Sequence, residues 1–436
     1  MDTTTNGRRA LIRTEIPGPR SVQLRELEQQ YIAPGIQTIA TASGIAVEKG
    51  NGCIIEDVDG NHYIDFFAGV GVASLGYNHP AYVRKMQEQI AKIHVGSFTS
   101  ESRALLSKLI AENTPGELNR TQYYSSGAEA VEAALRLAKA YTGKTEFIGF
   151  WGGFHGKTAG VLGLLGDTFK NGLGPLPAGR YLTPYPDSRY FPVSGENSSL
   201  IDECINFMKN KIRYETTGDI AAIIVEPIQG TAGNVIPPEG FLIKLLEAAH
   251  EIGALLIADE MITGFGRTGK MFGVDHDKII PDIMTVGKGF GGGFPMTGII
   301  SRDEVIFSKP FSLPSGSSSS YGGNPLASAS ALITLWTILE EDLVSNSAKV
   351  GAYMLERLCT FKQKYPIVGD VRGKGLMIGM DLVKGHGSKD KLDKKYTKMI
   401  FSECLKRGLI IMGYNPEIRI NPPLVIDMEA AEEGIE

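Results

Sequence analysis

The run Ala254-Leu255-Leu256-Ile257-Ala258 is followed at once by two acids, Asp259 and Glu260. Five consecutive apolar residues leave a strand no polar face, so the run reads as a parallel strand of an α/β sheet, buried on both sides, that delivers the acids from its carboxyl end. A loop punctuated by Gly264, Gly266 and Gly269 comes next, and a second short strand over residues 282–286 ends at Gly287-Lys288. Ligands of open α/β sheets bind beyond the carboxyl ends of the strands, so the acid and the lysine can converge on one molecule. That pair has a specific chemistry. A lysine amine forms an imine with an aldehyde cofactor, and a carboxylate beneath a pyridine nitrogen keeps the ring protonated so that it can take up carbanion charge. Taken alone, the two residues also fit a strand-end turn and a solvated surface lysine.

The same arrangement recurs along the chain. Residues 121–124 form a short strand running into Ser125-Ser126-Gly127-Ala128, with an amphipathic helix behind it to about residue 140. A helix N-terminus presents free N–H groups and positive potential to an anion, although by itself a Ser-Gly step reads first as a plain cap. A strand over 147–151 leads to Gly152-Gly153-Phe154-His155-Gly156-Lys157, and another over 220–225 ends in Glu226-Pro227-Ile228-Gln229-Gly230-Thr231. Upstream, a helix is expected around 21–31 between Pro/Gly breakers, and a hairpin over 54–65 turns at Asp59-Gly60. The serines 317–320 read as a flexible loop on composition alone. Beyond residue 332 come a strand over 376–383, a lysine-rich loop and a helix to about residue 407.

With 436 residues the chain exceeds one ordinary core, and we divide it into an N-terminal segment of a small domain (1–75), a large domain (76–330) and the C-terminal part of the small domain (331–436). A net charge of −5 without a basic stripe argues against a nucleic-acid partner. No apolar stretch is long enough for a membrane span. Residues 1–9 lack the apolar core of a secretory signal and read as a frayed tail. Cys53, Cys204, Cys359 and Cys404 are scattered, which suits free thiols in the cytoplasm rather than a metal site. Gly269-Lys270 and the glycines 289–293 lack the spacing of a nucleotide-binding loop.

Ala258-Asp259-Glu260, the loop Gly264-Phe265-Gly266-Arg267-Thr268-Gly269 and Lys288 together resemble the class III, or omega-type, pyridoxal-phosphate aminotransferases. The resemblance runs from about residue 50 to the end of the chain, which stops about where relatives begin a last helix. It implies an α/β fold of the fold-type-I class, with a mostly parallel sheet in the large domain and a small domain drawn from both chain ends. It implies pyridoxal 5'-phosphate as cofactor, bound through Lys288, with Asp259 on the ring nitrogen, Phe154 and Met261 on the two ring faces, and His155 beside them. Ser126, Gly127 and Ala128 correspond to the phosphate cup. The Ser320 hydroxyl corresponds to one that reaches the phosphate of the neighbouring subunit, which implies a homodimer with shared active sites.

On the substrate side the resemblance points to Val70, Trp151 and Arg419. Val70 stands where some relatives have an aromatic residue; judged alone it is ordinary core. Lys157 replaces an arginine common in the family, and a point charge is no substitute for a planar fork, so we do not read it as a substrate clamp. Thr231 replaces an acid that covers the arginine in close relatives, so Arg419 is expected to be uncovered or to swing aside. Ile262 replaces a glutamine. Both departures point to the branch using ω-amino acids and amines. The implied activity is ping-pong transfer of an amino group from an amine or (omega-)amino acid donor to a keto acid or other carbonyl acceptor. A racemase or epimerase of the same family is the alternative, and a decarboxylating aminotransferase a further one. A non-catalytic relative would be expected to lack Lys288 or Asp259.

Overall fold

The structure, a computed structural model, describes residues 8–189 and 199–436. Its centre is a seven-stranded sheet. Before it in the chain come three short strands, β1 (Val47–Asn51), β2 (Ile54–Asp57) and β3 (His62–Asp65), of which β2 and β3 form the expected hairpin with Ile55 opposite Tyr63. The central strands are β4 (Arg120–Tyr124), β5 (Glu146–Phe150), β6 (Arg180–Thr183), β7 (Ile220–Val225), β8 (Leu255–Asp259), β9 (Ile283–Val286) and β10 (Thr297–Ser301), in spatial order β4-β10-β9-β8-β7-β5-β6. From β9 through β8, β7 and β5 to β6 every pairing is parallel. β10 alone runs the other way, inserted antiparallel between β4 and β9, so all six remaining strands point their carboxyl ends to one edge.

The apolar runs are buried on both faces, and the two faces belong to different cores. Ala222, Ile224, Leu255 and Ile257 pack with Val131, Ala134 and Leu137 of the helix Gly127–Thr142. Their neighbours Ile223, Val225, Leu256 and Ala258 pack with Phe241, Leu242 and Leu245 of the helix Phe241–Glu251. Alternate side chains of one strand thus glue a helix layer to each side of the sheet.

Two smaller sheets flank this layer structure. β11 (Val368–Lys374) and β12 (Met377–Leu382) form an antiparallel pair, after which β13 (Leu409–Ile410) returns to lie parallel to β3 and closes a sheet of order β1-β2-β3-β13. β14 (Glu417–Ile420) then pairs with β12, setting Arg419 opposite Gly379. A helix, Met428–Ile435, ends the described chain.

The expected tail needs correction at its inner end. Residues 1–7 lie outside the described residues, but Arg9 is clasped: its guanidinium bonds Asp427 (2.7 Å) and Glu429 (2.9 Å), and its backbone N–H bonds Glu433 (3.0 Å). The serine run is also less free than its composition suggests. Ser317 is buried, its hydroxyl 2.5 Å from the Tyr124 phenol.

Candidate active site

The carboxyl edge of the sheet gathers the sequence motifs. Asp259, the last residue of β8, is buried, and its oxygens bond His155 Nδ1 (2.6 Å), the Thr285 hydroxyl (2.8 Å) and the Met261 N–H (3.2 Å). His155 arrives on the loop after β5 and is equally buried; its Nε2 has no hydrogen-bond partner among the described residues. Burial pushes the Asp259 carboxyl up, but the bond to and charge of His155, with help from Lys288 and Thr285, hold it below the usual carboxylate range. Burial likewise pushes His155 down, and Asp259 and then Glu226 overcome it and leave the imidazole raised. The pair is therefore ionic, a carboxylate kept charged inside the protein.

Lys288 follows β9 and Gly287 in a left-handed backbone conformation (φ 46°) that turns the chain sharply out of the strand. Burial lowers its amine's proton affinity, while Asp259 and Glu226 resist and Arg419 adds to the lowering; the net shift is downward.

A third segment closes on the same place. Ser126 caps the helix Gly127–Thr142, accepting the Glu129 N–H at 3.3 Å, and its carbonyl takes the Thr297 hydroxyl at 3.0 Å. Small residues make the approach possible. A Cβ on Gly127 would stand 3.3 Å from Met261 Sδ, one on Gly287 would overlap Met261 and stand 2.9 Å from Thr297 Cγ2, and one on Gly156 would stand 2.6 Å from the Ala128 Cβ. So Ser126, Gly127, Ala128, Phe154, His155, Asp259, Met261 and Lys288 are brought to one crevice from four separate stretches of chain. Ser320 is exposed and carries no hydrogen bond to this group.

Of the substrate-side candidates, Trp151 opens the loop that carries Phe154, and Arg419 is within electrostatic reach of Lys288. Trp151 and Thr231 line a cavity of about 1120 Å³ with Phe169, Tyr185 and Gln229. Trp151 is half exposed and meets Phe207 edge-on, with ring centroids 5.8 Å apart. Arg419 Nη1 donates to the Gly230 carbonyl at 3.4 Å, and no carboxylate of the described residues is within ion-pair distance. Val70 lies in a left-handed turn from Ala68 (φ 46°) through Gly69 (60°) and Val70 (68°) to Gly71 (74°). Positive φ is disfavoured for a β-branched side chain, so this turn is strained; Asp65 holds its entrance, accepting the N–H groups of Phe67 (2.7 Å) and Ala68 (2.9 Å). Lys157 is exposed, its ammonium 4.4 Å from the Phe169 ring centre and 5.9 Å from that of Phe154.

Sequence reasoning passed over Glu226, Thr285 and Phe169. Glu226 carried a usable signal, since it follows an apolar strand just as Asp259 does. Thr285 and Phe169 carried none.

The donor set suits pyridoxal phosphate: a charged carboxylate for a ring nitrogen, a lysine of lowered proton affinity for an aldehyde, and a capped helix start for a phosphate. Together with the sheet topology these features define a fold-type-I pyridoxal-phosphate enzyme. The family model for class III aminotransferases matches residues 37–436, and the chain belongs to that family.

Two curated relatives are each 36% identical. One is an alanine/serine racemase of Pyrococcus horikoshii, matched over 96% of this chain and 90% of the relative, and the other a leucine/methionine racemase of Thermococcus litoralis, over 94% of each. Among solved structures, the omega transaminase of Pseudomonas jessenii in complex with PMP superposes with a TM-score of 0.88 at 26% identity, covering 94% of this chain and 96% of that one. An (S)-enantioselective omega-transaminase from Thermomicrobium roseum gives 0.88 at 29%, covering 95% and 96%.

Proposed function

We propose that this chain is an aminotransferase, taking the amino group from an amine or (omega-)amino acid and passing it to a keto acid or other carbonyl acceptor in two half-reactions. Bound pyridoxal phosphate supplies an electron sink for the substrate carbon. Lys288 would carry the cofactor and, once displaced by the incoming amine, act as general base, its Nζ taking the proton from the carbon that bears the nitrogen and delivering it to the cofactor on the same face. Asp259, kept ionised by His155, would hold the ring nitrogen protonated. Ser126, Gly127 and Ala128 would seat the phosphate, and Phe154 and Met261 would hold the ring. Val70, Trp151 and Arg419 would shape the substrate end.

The observation that supports this reading over its rival is the likeness to solved omega transaminases, which extends over 94–95% of the chain. Racemisation remains the second reading, favoured by the two relatives at 36% identity. We further assign a cytoplasmic homodimer. Phe98 (84% exposed) and Tyr321 (65% exposed) flank the start of the helix Pro325–Glu340 beside Ser320, an apolar surface suited to a second copy. The parallel pairing of β13 with β3 supports a small domain drawn from both chain ends.

Holoenzyme mixed with a panel of amines and amino acids, without acceptor, tests the reading, with Lys288→Ala as control. One equivalent of carbonyl product, with conversion of the cofactor to its aminated form, is the expected result. Decay of an amino acid's optical rotation with no such conversion would replace transamination by racemisation.

A further inference from the structure

Glu226, directly after β7, is buried, and the reading above gives it no task. Its carboxylate is shared between two loops: Oε1 accepts the Phe154 N–H at 2.8 Å, and Oε2 accepts the Gly230 N–H at 2.9 Å. Gly230 in turn gives its carbonyl to Arg419 Nη1. One side chain therefore ties the aromatic residue beside His155 to the loop that bears Thr231 and meets the arginine.

The geometry suits an anion. Both oxygens face amide donors, so a protonated carboxyl would set its O–H against an N–H. The charged groups facing it come from four elements: His155 after β5, Asp259 ending β8, Lys288 after β9 and Arg419 on β14; burial and Asp259 push its carboxyl up, while His155 and the two N–H bonds pull it back. Behind it the Tyr185 hydroxyl donates to the Glu226 main-chain carbonyl at 3.2 Å. A buried carboxylate costs stability, and a well-packed apolar residue could fill the same volume more cheaply. Its place among three cations is what distinguishes it from a plain loop staple.

We propose that Glu226 is a positioning residue for the reaction: its negative charge balances the cations of Lys288 and His155, and its two N–H bonds hold the Phe154 loop and the Arg419 loop in one register. The inference rests on Lys288 being the cofactor-bearing lysine.

Two variants separate charge from geometry in the holoenzyme. Glu226→Gln keeps the size and removes the charge, so the absorbance titration of the lysine–cofactor linkage is expected to move down by roughly one pH unit. Glu226→Asp keeps the charge but is too short to reach both N–H groups. Its titration is expected to stay within a few tenths of a pH unit of wild type, while KM for carboxylate-bearing donors rises several-fold. Should Glu226→Gln hold the cofactor poorly, the rate of Lys288 acylation against pH, followed by mass spectrometry in the apo protein, reads the same shift. A wild-type titration in Glu226→Gln overturns the charge role, and a wild-type KM in Glu226→Asp overturns the bracing role. Absence of any linkage absorbance in the wild-type holoenzyme overturns the assignment of Lys288, and this inference with it.

Discussion

Removing the His155 side chain tests how the protein keeps Asp259 charged. The ion pair is 2.6 Å long, with both side chains 1% exposed. His155→Leu deletes donor and charge together and leaves Asp259 with the Thr285 hydroxyl and the Met261 N–H. Stripping one partner from a buried ion pair costs about 3–5 kcal/mol. His155→Asn keeps a donor near the position of Nδ1 and loses the charge assistance, about 1–2 kcal/mol.

The pH dependence has a definite sign. His155 is raised above its ordinary 6.5, so its contribution is complete below 6.5 and fades as pH climbs through the higher folded value. Asp259 is lowered below 3.8, so its contribution is present above 3.8 and fades as pH falls through the folded value. The two overlap between those limits, and there the gap between wild type and His155→Leu should be widest. Urea unfolding of the apo forms at about pH 5.5 and at about pH 9 measures it. The ionic reading fails if His155→Leu matches wild type at the lower pH, or if the gap is the same at both.

Three further substitutions probe the surroundings. A methyl on Gly379 would overlap the Gly233 carbonyl oxygen, which Arg372 Nη2 holds at 2.6 Å, so Gly379→Ala should lose about 1–3 kcal/mol in denaturant unfolding and raise KM; an unchanged unfolding midpoint would show that the loop yields freely. Val70→Gly relieves a left-handed β-branched residue and should gain about 0.5–1 kcal/mol by the same assay, with a loss of stability counting against strain at this turn. Arg419→Met breaks no ion pair among the described residues and should leave stability nearly unchanged; KM for carboxylate-bearing substrates should rise about tenfold or more, as for loss of a charge-assisted hydrogen bond, with uncharged amines unaffected. An equal effect on both substrate classes would remove Arg419 from the substrate end.

The layer order was legible because this sheet is parallel. Strands such as β7 and β8, buried on both sides, must be apolar throughout, and an acid or lysine at their ends stands out against that background. The same logic applies to Glu226, which went unread because the Pro-x-Gln-Gly continuation drew attention to Thr231 instead. The His155–Asp259 pair joins residues 104 positions apart, and local pattern carries no information across such a gap. Val70 was hidden for a different reason: glycines on either side hint at a turn, but a β-branched residue argues against positive φ, and the fold overrides that preference. The clasp on Arg9 depends on three acids near the far end of the chain, so a composition reading of the first residues saw only a polar tail.

The inverted strand β10 sets a schedule for the nascent chain. β4, which leads into Ser126, pairs with no central strand but β10. On the ribosome it must wait for about 170 further residues, on the order of ten to thirty seconds at ordinary synthesis rates. Asp259 and Lys288 both precede β10, so a chain ending before residue 297 would carry the two side chains on an unfinished sheet, with the helix start that faces them unseated. Completion of the proposed cofactor site is thereby tied to completion of the large sheet, and the edge of β9 that β10 covers stays open until then.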